Sequence, residues 1–304
     1  MSFPGKNALP VLGVGLSFRP EIASSIYESL DELDFMEIIL DNAVAGGVDE
    51  RFFQDVVAHM PVVGHGVNCS LGSLEPLDHE YLHCMRRFAR QLQCRWFSDH
   101  LAFTQSAEMD VGQLMPVQFE EANVGWIAAR IREAARTVGV PFLLENIAYY
   151  FTIPGATLTE IEFTRRILSS AGCGFLLDVH NLHANAVNHG FDPYEYIDRI
   201  PAEAVVEIHV AGGEQRGELY IDTHGHAINS EVWALLDYAV ATKRPNAILL
   251  EREKNFPEMT ALVAEIREIR KIWARHCADV RPFREKNNVC GVRESLSLPP
   301  VGAP

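Results

Sequence analysis

The chain has 304 residues, of which 48% are hydrophobic and 22% charged, and its formal net charge is −15. This composition is typical of a globular protein with one large core, and it excludes disorder, collagen and a coiled coil. The surplus of negative charge argues against nucleic acid and anionic membranes as partners, because phosphate backbones are held mainly by Lys and Arg.

The expected compartment is the cytoplasm. No apolar run approaches the roughly 18 residues that a membrane span needs, and the first ten residues lack the apolar stretch of a secretory signal. The six cysteines are scattered without a Cys-x-x-Cys pair, which favours free thiols over a disulfide framework.

Eight short apolar runs alternate along the chain with stretches of helical period. The predicted strands are Val11–Leu16, Phe35–Leu40, Pro61–His65, Arg95–His100, Pro141–Glu145, Gly174–Asp178, Val205–His209 and Asn246–Glu251. The predicted helices are Glu21–Leu33, Glu50–Met60, Asp78–Cys94, Val117–Val138, Leu158–Ala171, Asp192–Ile200, Ser230–Thr242 and Glu258–Ala274. This alternation predicts an α/β fold, a parallel sheet closed as a (β/α)8 TIM barrel. A doubly wound open sheet is the alternative, although no strand precedes a G-x-G-x-x-G loop.

Residues 1–276 are expected to form a single TIM-barrel domain, and residues 277–304 an irregular C-terminal tail. The tail has two adjacent prolines, mixed charge and little apolar periodicity. Within the domain, Asp49 and Asn229 are predicted to cap the starts of helices and Gly139 to end one.

The last six predicted strands all end near a side chain that can bind a metal ion. These side chains are His65, His100, Glu145, Asp178, His209 and Glu251. The C-terminal ends of barrel strands meet on one face, so the six side chains are predicted to converge on one cavity. Asp, Glu and His make up about one residue in six, so six such endings arise by chance in fewer than about 1% of barrels.

Three of these side chains are acids that end apolar strands, namely Glu145, Asp178 and Glu251. A carboxylate buried there needs a cation or an Arg or Lys partner. Only Arg252 follows closely in sequence, and one guanidinium cannot neutralise three acids. Metal ions are therefore the favoured partners.

Further polar residues are predicted to lie at the same mouth of the barrel. Asp222 and His224 belong to a glycine-rich segment expected to fold back over the barrel. The other candidates are Asn181 and His183 as possible ligands, His180 and His226 as contacts to metal or substrate, and Cys69 in the loop after His65. A buried loop cysteine is the favoured interpretation of Cys69 over a reactive or ligating thiol.

The candidate ligands are imidazole nitrogens and carboxylate oxygens, a set that suits zinc, iron or manganese. Their number exceeds what one ion needs. Two or three ions that share carboxylate bridges are therefore predicted, because clustered cations offset the charge of neighbouring carboxylates. These residue types by themselves leave zinc and iron as alternatives.

Short motifs that contain these residues extend from residue 11 to about residue 275. They are G-V-G-L-S, F-M-E-I-I-L-D-N, G-H-G-V-N, S-D-H-L, L-E-N, L-D-V-H-N, I-H-V-A-G, D-T-H-G and L-E-R. With these motifs the chain resembles the multinuclear non-heme iron-dependent oxidative enzymes, a family formerly known as a domain of unknown function that includes methanobactin oxidase. The order of ligands is also similar to that of the trinuclear zinc site in endonuclease IV-type enzymes of the xylose-isomerase-like barrels.

The resemblance implies an oxidase or oxygenase that modifies a cysteine of a ribosomally made precursor or carrier peptide. It implies two or three Fe(II)/Fe(III) ions as cofactors and O2 as co-substrate. The most similar branch excises the cysteine β-carbon as formate in 3-thiaglutamate biosynthesis. Family members work with a small leader-peptide-recognition partner, so a heterodimer with a separate partner protein is expected.

The resemblance also assigns ligands. It gives His65, His100 and the bridging Glu145 to one iron, Glu145, Asp178, His209 and Glu251 to a second, and Asn181, Asp222 and His224 to a third. The six strand-end residues would carry the catalytic chemistry.

Asn181 stands where the nuclease pattern has a histidine, which favours the oxidase. It also leaves open the occupancy of the third position, with His183 as an alternative ligand. An endonuclease IV-like zinc hydrolase and a metal-dependent sugar isomerase or epimerase remain as alternative functions.

Overall fold

The computed structural model describes residues 3–44, 56–106, 109–280 and 282–283. Eight parallel strands close into a barrel and helices lie between them in sequence, which confirms the predicted TIM barrel. Of the predicted helix Glu50–Met60, residues 56–59 are helical, and the earlier part with its proposed cap Asp49 lies outside the described residues. Most of the predicted tail 277–304 also lies outside them.

The barrel strands follow the predicted positions to within three residues at each end. They are β1 Gly13–Ser17, β2 Phe35–Ile39, β3 Val62–His65, β4 Phe97–His100, β7 Phe142–Glu145, β8 Gly174–Asp178, β9 Val205–Val210 and β12 Ala247–Leu250. Their order around the barrel is β1-β12-β9-β8-β7-β4-β3-β2. Two antiparallel hairpins interrupt the alternation, β5 Phe103–Ser106 with β6 Met109–Met115 and β10 Glu214–Arg216 with β11 Leu219–Ile221.

Some of the helices are capped by a side chain at the start or by a glycine at the end. The helices are α1 Ala23–Glu28, α2 Leu40–Val44, α3 His79–Gln91, α4 Glu121–Val138, α5 Glu160–Ala171, α6 Val179–His189, α7 Pro193–Arg199, α8 Ser230–Lys243 and α9 Met259–His276. The Asn229 side chain accepts a hydrogen bond from the Val232 N–H at the start of α8, as predicted. Gly139 ends α4 with φ of 85°, a left-handed conformation that glycine adopts without strain.

Several parts of the structure differ from the predicted elements. The helix expected over Glu21–Leu33 is divided into α1 and two flanking 3-10 turns. Helices α2 and α6 and both hairpins were not predicted. Residues 179–186 of α6 are all buried, so the segment lacks the polar face that marks an amphipathic helix.

The side chains that point into the barrel change character along its axis. At the N-terminal end they form an apolar cluster that includes Phe35, Trp96 and Leu143, all fully buried. One step further along the strands, toward their C-terminal ends, the inward positions carry acids and histidines. The apolar cluster therefore closes the bottom of the barrel and leaves a polar cavity at its mouth.

None of the helices in the described ranges is long and apolar enough to cross a lipid bilayer.

Candidate metal centre

The register of the barrel brings the predicted residues side by side. His100 on β4 is the register partner of Glu145 on β7, and Asp178 on β8 is the partner of His209 on β9. Register partners in neighbouring parallel strands point to the same side of the sheet. The barrel strands alone therefore place two acids and two histidines close together inside the barrel.

The first cluster consists of His65, His100 and Glu145, whose ligand atoms lie within 4.8 Å of one another. Oε2 of Glu145 is 3.6 Å from Nε2 of His65 and 3.3 Å from Nε2 of His100. Nδ1 of His65 lies 2.8 Å from Oγ of Ser98, so the other ring nitrogen faces the carboxylate. All three side chains are buried, and together they could hold a metal ion.

The second cluster consists of Glu145, Asp178, His209 and Glu251 and shares Glu145 with the first. Nδ1 of His209 is 3.5 Å from Oε1 of Glu145 and 3.3 Å from Oε2 of Glu251. Asp178 accepts the Asn181 N–H through Oδ1, which caps α6. A carboxylate shared by two clusters suits a bridge between neighbouring ions.

The third cluster consists of His180, Asp222 and His224. Oδ1 of Asp222 is 2.8 Å from Nε2 of His224 and 3.2 Å from Nδ1 of His180. Asp222 and His224 follow the β10–β11 hairpin and line the same cavity as His65 and Glu145. The Asp222 N–H donates to the Tyr150 hydroxyl at 3.1 Å. His224 also groups with Glu251, which links this cluster to the second.

The remaining candidates occupy different positions. The Asn181 amide nitrogen donates to the Asn146 carbonyl, and its Oδ1 is buried without a hydrogen-bond partner beside the cavity. His183 packs edge-on against Tyr220 and belongs to none of the clusters found among the described residues. His226 contacts Thr223 through Nδ1 at 3.1 Å and is 40% exposed.

Cys69 is buried in the loop after β3, as the sequence interpretation favoured. Its backbone N–H donates to Oδ2 of Asp99 at 3.1 Å, and burial raises the pKa of the thiol well above its ordinary value. A thiol held in the neutral form is a poor ligand and nucleophile.

Members of all three clusters line one cavity of about 400 Å³. The unpredicted β5–β6 hairpin supplies Gln113 and Leu114 to its wall, and Lys254 lies at the same wall after β12. The cavity is large enough to admit one amino-acid side chain beside the clusters.

Burial and mutual charge control protonation in the cavity. Burial raises the pKa of Asp178 well above its ordinary value. Burial also lowers the pKa of His65 well below its ordinary value, an effect reinforced by the nearby His100 and His209. Burial would also lower the pKa of His224, but the charges of Asp222 and Glu251 raise it well above the usual range. A bound cation would relieve this burial cost because it favours carboxylates and neutral imidazoles.

Several of the candidate ligand atoms are buried without a hydrogen-bond partner. They include Oε2 of Glu145, Oδ2 of Asp178, Nδ1 of His209, Oδ1 of Asp222 and both ring nitrogens of His224. Buried polar atoms are normally hydrogen-bonded, so a concentration of unpartnered ones requires an explanation. Their nitrogen and carboxylate chemistry fits a multinuclear metal centre.

The structure corrects the interpretation of the nearby arginines. Arg252 pairs with Glu265 at 2.9 Å, away from the cavity. The guanidinium beside the clusters belongs instead to Arg19, which is 3.7 Å from Glu251 and 3.0 Å from Glu253. Arg19 comes two residues after β1, and an arginine there was not predicted because only side chains that can bind a metal ion were considered.

Comparison with known proteins gives a consistent family assignment. The sequence model described as "RiPP precursor modification enzyme MbnB/TglH/ChrH" matches residues 13–274. A UPF0276 protein of Alcanivorax borkumensis is 36% identical over 276 residues, which cover 87% of this chain and 92% of that protein. A UPF0276 protein of Caulobacter vibrioides is 36% identical over 267 residues, which cover 87% of this chain and 95% of that protein.

Solved structures share the fold at low sequence identity. A D-allulose 3-epimerase from Methylomonas sp. superposes with a TM-score of 0.55 at 11% identity, covering 92% of this chain and 98% of that one. The IolI protein, solved with a zinc atom, superposes with a TM-score of 0.52 at 14% identity. The superposition covers 89% of this chain and 99% of that one. These likenesses support the barrel fold.

Proposed function

The chain belongs to the family of RiPP precursor modification enzymes MbnB/TglH/ChrH, and we propose that it oxidises a cysteine residue of a ribosomally made precursor or carrier peptide. The proposed cofactors are two or three iron ions, with O2 as co-substrate. The observation that carries the proposal is the set of three adjoining clusters, joined through Glu145 and Glu251, at one mouth of the barrel.

The ligands would divide among the ions as the clusters do. His65, His100 and Glu145 would hold the first ion, and Asp178, His209 and Glu251 would hold the second together with the shared Glu145. Asp222 and His224 would hold the third, and His180 and Asn181 supply further donor atoms beside it. Because Asn181 offers only an amide oxygen, a weaker donor than imidazole, the third ion would be the most weakly held.

Iron bound there would supply the binding and activation of O2 and the electron transfers of the oxidation. The protein's own task is to orient the peptide. Tyr150 and the β5–β6 hairpin line the entrance and limit the access of water, and Lys254 provides a cation for a peptide carboxylate.

The proposed reaction excises the cysteine β-carbon as formate. The methylene carbon leaves with its two hydrogens, and these atoms together with one O2 make up one molecule of formic acid. The sulfur passes to the α-carbon. Four electrons pass from the methylene carbon to O2, so the reaction needs no external reductant.

A small leader-peptide-recognition protein is the proposed partner, in a heterodimer that presents the peptide to the cavity. The proposed compartment is the cytoplasm. In support, none of the five described cysteines forms a disulfide, which suits a reducing environment.

The test uses full-length protein purified without oxygen, loaded with Fe(II) and mixed with a peptide that ends in cysteine. Peptide-dependent O2 uptake with formate formed in equal amount is expected, and the matched peptide ending in serine should give neither. Glu145→Gln should abolish the uptake. Full zinc occupancy without O2 uptake, cleavage of abasic DNA, or epimerisation of a ketose would each overturn the proposal.

A further inference from the structure

Beneath the metal clusters the barrel contains a second layer of polar side chains. Glu37 on β2 and Glu207 on β9 lie in the middle of apolar strands and are fully buried. The register between β8 and β9 shifts near Phe175, so that Leu176 pairs with Glu207 and not with Val206. This irregularity turns the Glu207 carboxylate into the barrel, toward Glu37.

His209 connects the two layers. Its Nδ1 faces the clusters, at 3.3 Å from Glu251 and 3.5 Å from Glu145. Its Nε2 faces the other way, at 3.1 Å from Oε2 of Glu37 and 3.8 Å from Oε1 of Glu207. The imidazole therefore presents one nitrogen to the proposed metal ion and the other to buried carboxylates.

A neutral imidazole carries one hydrogen, and the nitrogen that binds a metal cannot carry it. If Nδ1 of His209 is the ligand atom, Nε2 must be protonated and needs an acceptor in the closed interior of the barrel. In the described part of the chain, neither oxygen of Glu37 and neither ring nitrogen of His209 makes a hydrogen bond. The 3.1 Å contact therefore joins an acid and an imidazole nitrogen that have no other partner. Glu207 is the less suitable acceptor, because its Oε2 accepts the indole N–H of Trp96 at 2.7 Å and its Oε1 is 3.8 Å from Nε2 of His209, beyond hydrogen-bond distance.

We propose that Glu37 is a positioning residue that fixes the tautomer and ring orientation of His209, so that this histidine binds metal through Nδ1. The inference rests on the proposed function in requiring that His209 is a metal ligand. A carboxylate behind a ligating histidine orients the ring and increases its basicity.

His65 provides a contrast within the same site. Its Nδ1 contacts the Ser98 hydroxyl at 2.8 Å, and that hydroxyl lies 3.4 Å from the Gly64 carbonyl. A serine that donates to the carbonyl accepts the Nδ1–H of His65 and leaves Nε2 as the ligand atom. This arrangement favours opposite tautomers for the two histidines. Oε2 of Glu37 is also 3.9 Å from Nδ1 of His65, beyond hydrogen-bond distance, so the Ser98 hydroxyl is the nearer partner of His65 and the Glu37 carboxylate that of His209.

The test compares full-length wild-type protein with Glu37→Gln, Glu37→Leu and Glu207→Gln, all loaded with Zn(II) so that iron and O2 play no part. Metal content and affinity are measured by competition with a chelator. Histidine labelled with ¹⁵N reports which ring nitrogen is protonated, and a Glu160→Gln variant controls for the loss of a buried carboxyl elsewhere.

The wild type should show a histidine bound through Nδ1 with a strongly deshielded Nε2–H. Glu37→Gln keeps an acceptor of the same shape, so the signal should persist with a smaller shift while the affinity of one ion falls about 10–100-fold. Glu37→Leu should lose the signal and that ion. Glu160→Gln should change neither readout.

Unchanged metal affinity in Glu37→Gln would overturn the inference. If Glu37→Leu fails to fold, the test rests on Glu37→Gln alone. Metal bound to His209 through Nε2 would also overturn it. So would loss of an additional ion in both Glu37→Gln and Glu207→Gln with the His209 signal intact, because the two acids would then form a cation site of their own. A wild type that binds no metal would instead refute the proposed function.

Discussion

Gly212 offers a direct way to disturb the third cluster without changing any ligand. It lies two residues after β9, where the chain leaves the barrel for the β10–β11 hairpin. A Cβ added to Gly212 would lie 2.3 Å from the His226 carbonyl oxygen and 2.4 Å from the Ala227 carbonyl oxygen. Both contacts are with backbone, so the segment that follows Asp222 and His224 must move by about 1 Å to restore ordinary contact.

This displacement means that Gly212→Ala lowers the stability of the folded protein. Overpacking of this kind costs about 1–3 kcal/mol, whereas metal–ligand distances tolerate only about 0.2 Å. If the loop must return to its wild-type position to bind the third ion, the same strain energy opposes binding. The affinity for that ion should then fall about 5–150-fold, while His65 and His100, which lie on other strands, keep theirs.

The assay is an anaerobic metal titration against a competing chelator, combined with urea unfolding. The matched control is Gly125→Ala in α4, where an added Cβ meets no atom within 4 Å outside the helix's own backbone. This control should stabilise the protein by about 0.5–1 kcal/mol and leave metal binding unchanged. A destabilised Gly212→Ala protein that binds every ion as tightly as wild type would refute the reasoning.

Two further predictions concern residues outside the clusters. Burial raises the pKa of Glu160 to about 7, so its stabilising contribution is complete below its unfolded pKa and is lost as the pH rises through 7. The free energy of unfolding measured in urea should therefore be higher for Glu160→Gln than for wild type, by about 3 kcal/mol at pH 8 and by less than about 1 kcal/mol at pH 5. An equal increase at both pH values would contradict this prediction. The buried Arg130 guanidinium donates to three carbonyl oxygens of segment 70–75, so Arg130→Met should cost about 3 kcal/mol. Arg132→Met, at a mostly exposed hydrogen bond, should cost under about 1 kcal/mol.

The barrel could be predicted from the sequence because strands buried on both faces leave continuous apolar runs. The convergence of the strand-end residues followed from the rule that parallel strands share one C-terminal face. The pairing of His100 with Glu145 shows this rule at work, since the two residues end neighbouring strands. The loop with Asp222 and His224 was predicted to lie over the mouth because of its glycines.

Helix α6 and the β5–β6 hairpin were not predicted, for two different physical reasons. Helix α6 contains His180, Asn181 and Asn185, all buried, so its inner face is polar and its apolar period is lost. The β5–β6 hairpin was not predicted because β6 is mostly exposed and has no buried face that would require apolar and polar residues to alternate. Both segments contribute to the metal centre, α6 through His180 and β6 through residues in the cavity wall. Neither has the regular spacing of apolar residues from which helices and strands are predicted.

Glu37, Glu207 and Arg19 were visible in the sequence but were not selected as site residues. The two acids lie within apolar strands, where a charged side chain is costly and calls for an explanation. They come two or three residues before the ends of their predicted strands, and only the metal-binding residue nearest the end of a strand was selected as a ligand. Which inward position each acid occupies depends on barrel register and on the irregularity near Phe175, and neither follows from local sequence.

The central claim is that side chains from six strands and one loop gather around several adjoining ions. The most direct measurement is anomalous diffraction at the iron edge from crystals of the protein loaded with Fe(II) without oxygen. The account predicts two or three peaks at the mouth of the barrel, with neighbours about 3.5–4 Å apart and Glu145 between the first two. A single peak, or peaks away from His65, Glu145 and Glu251, would contradict it.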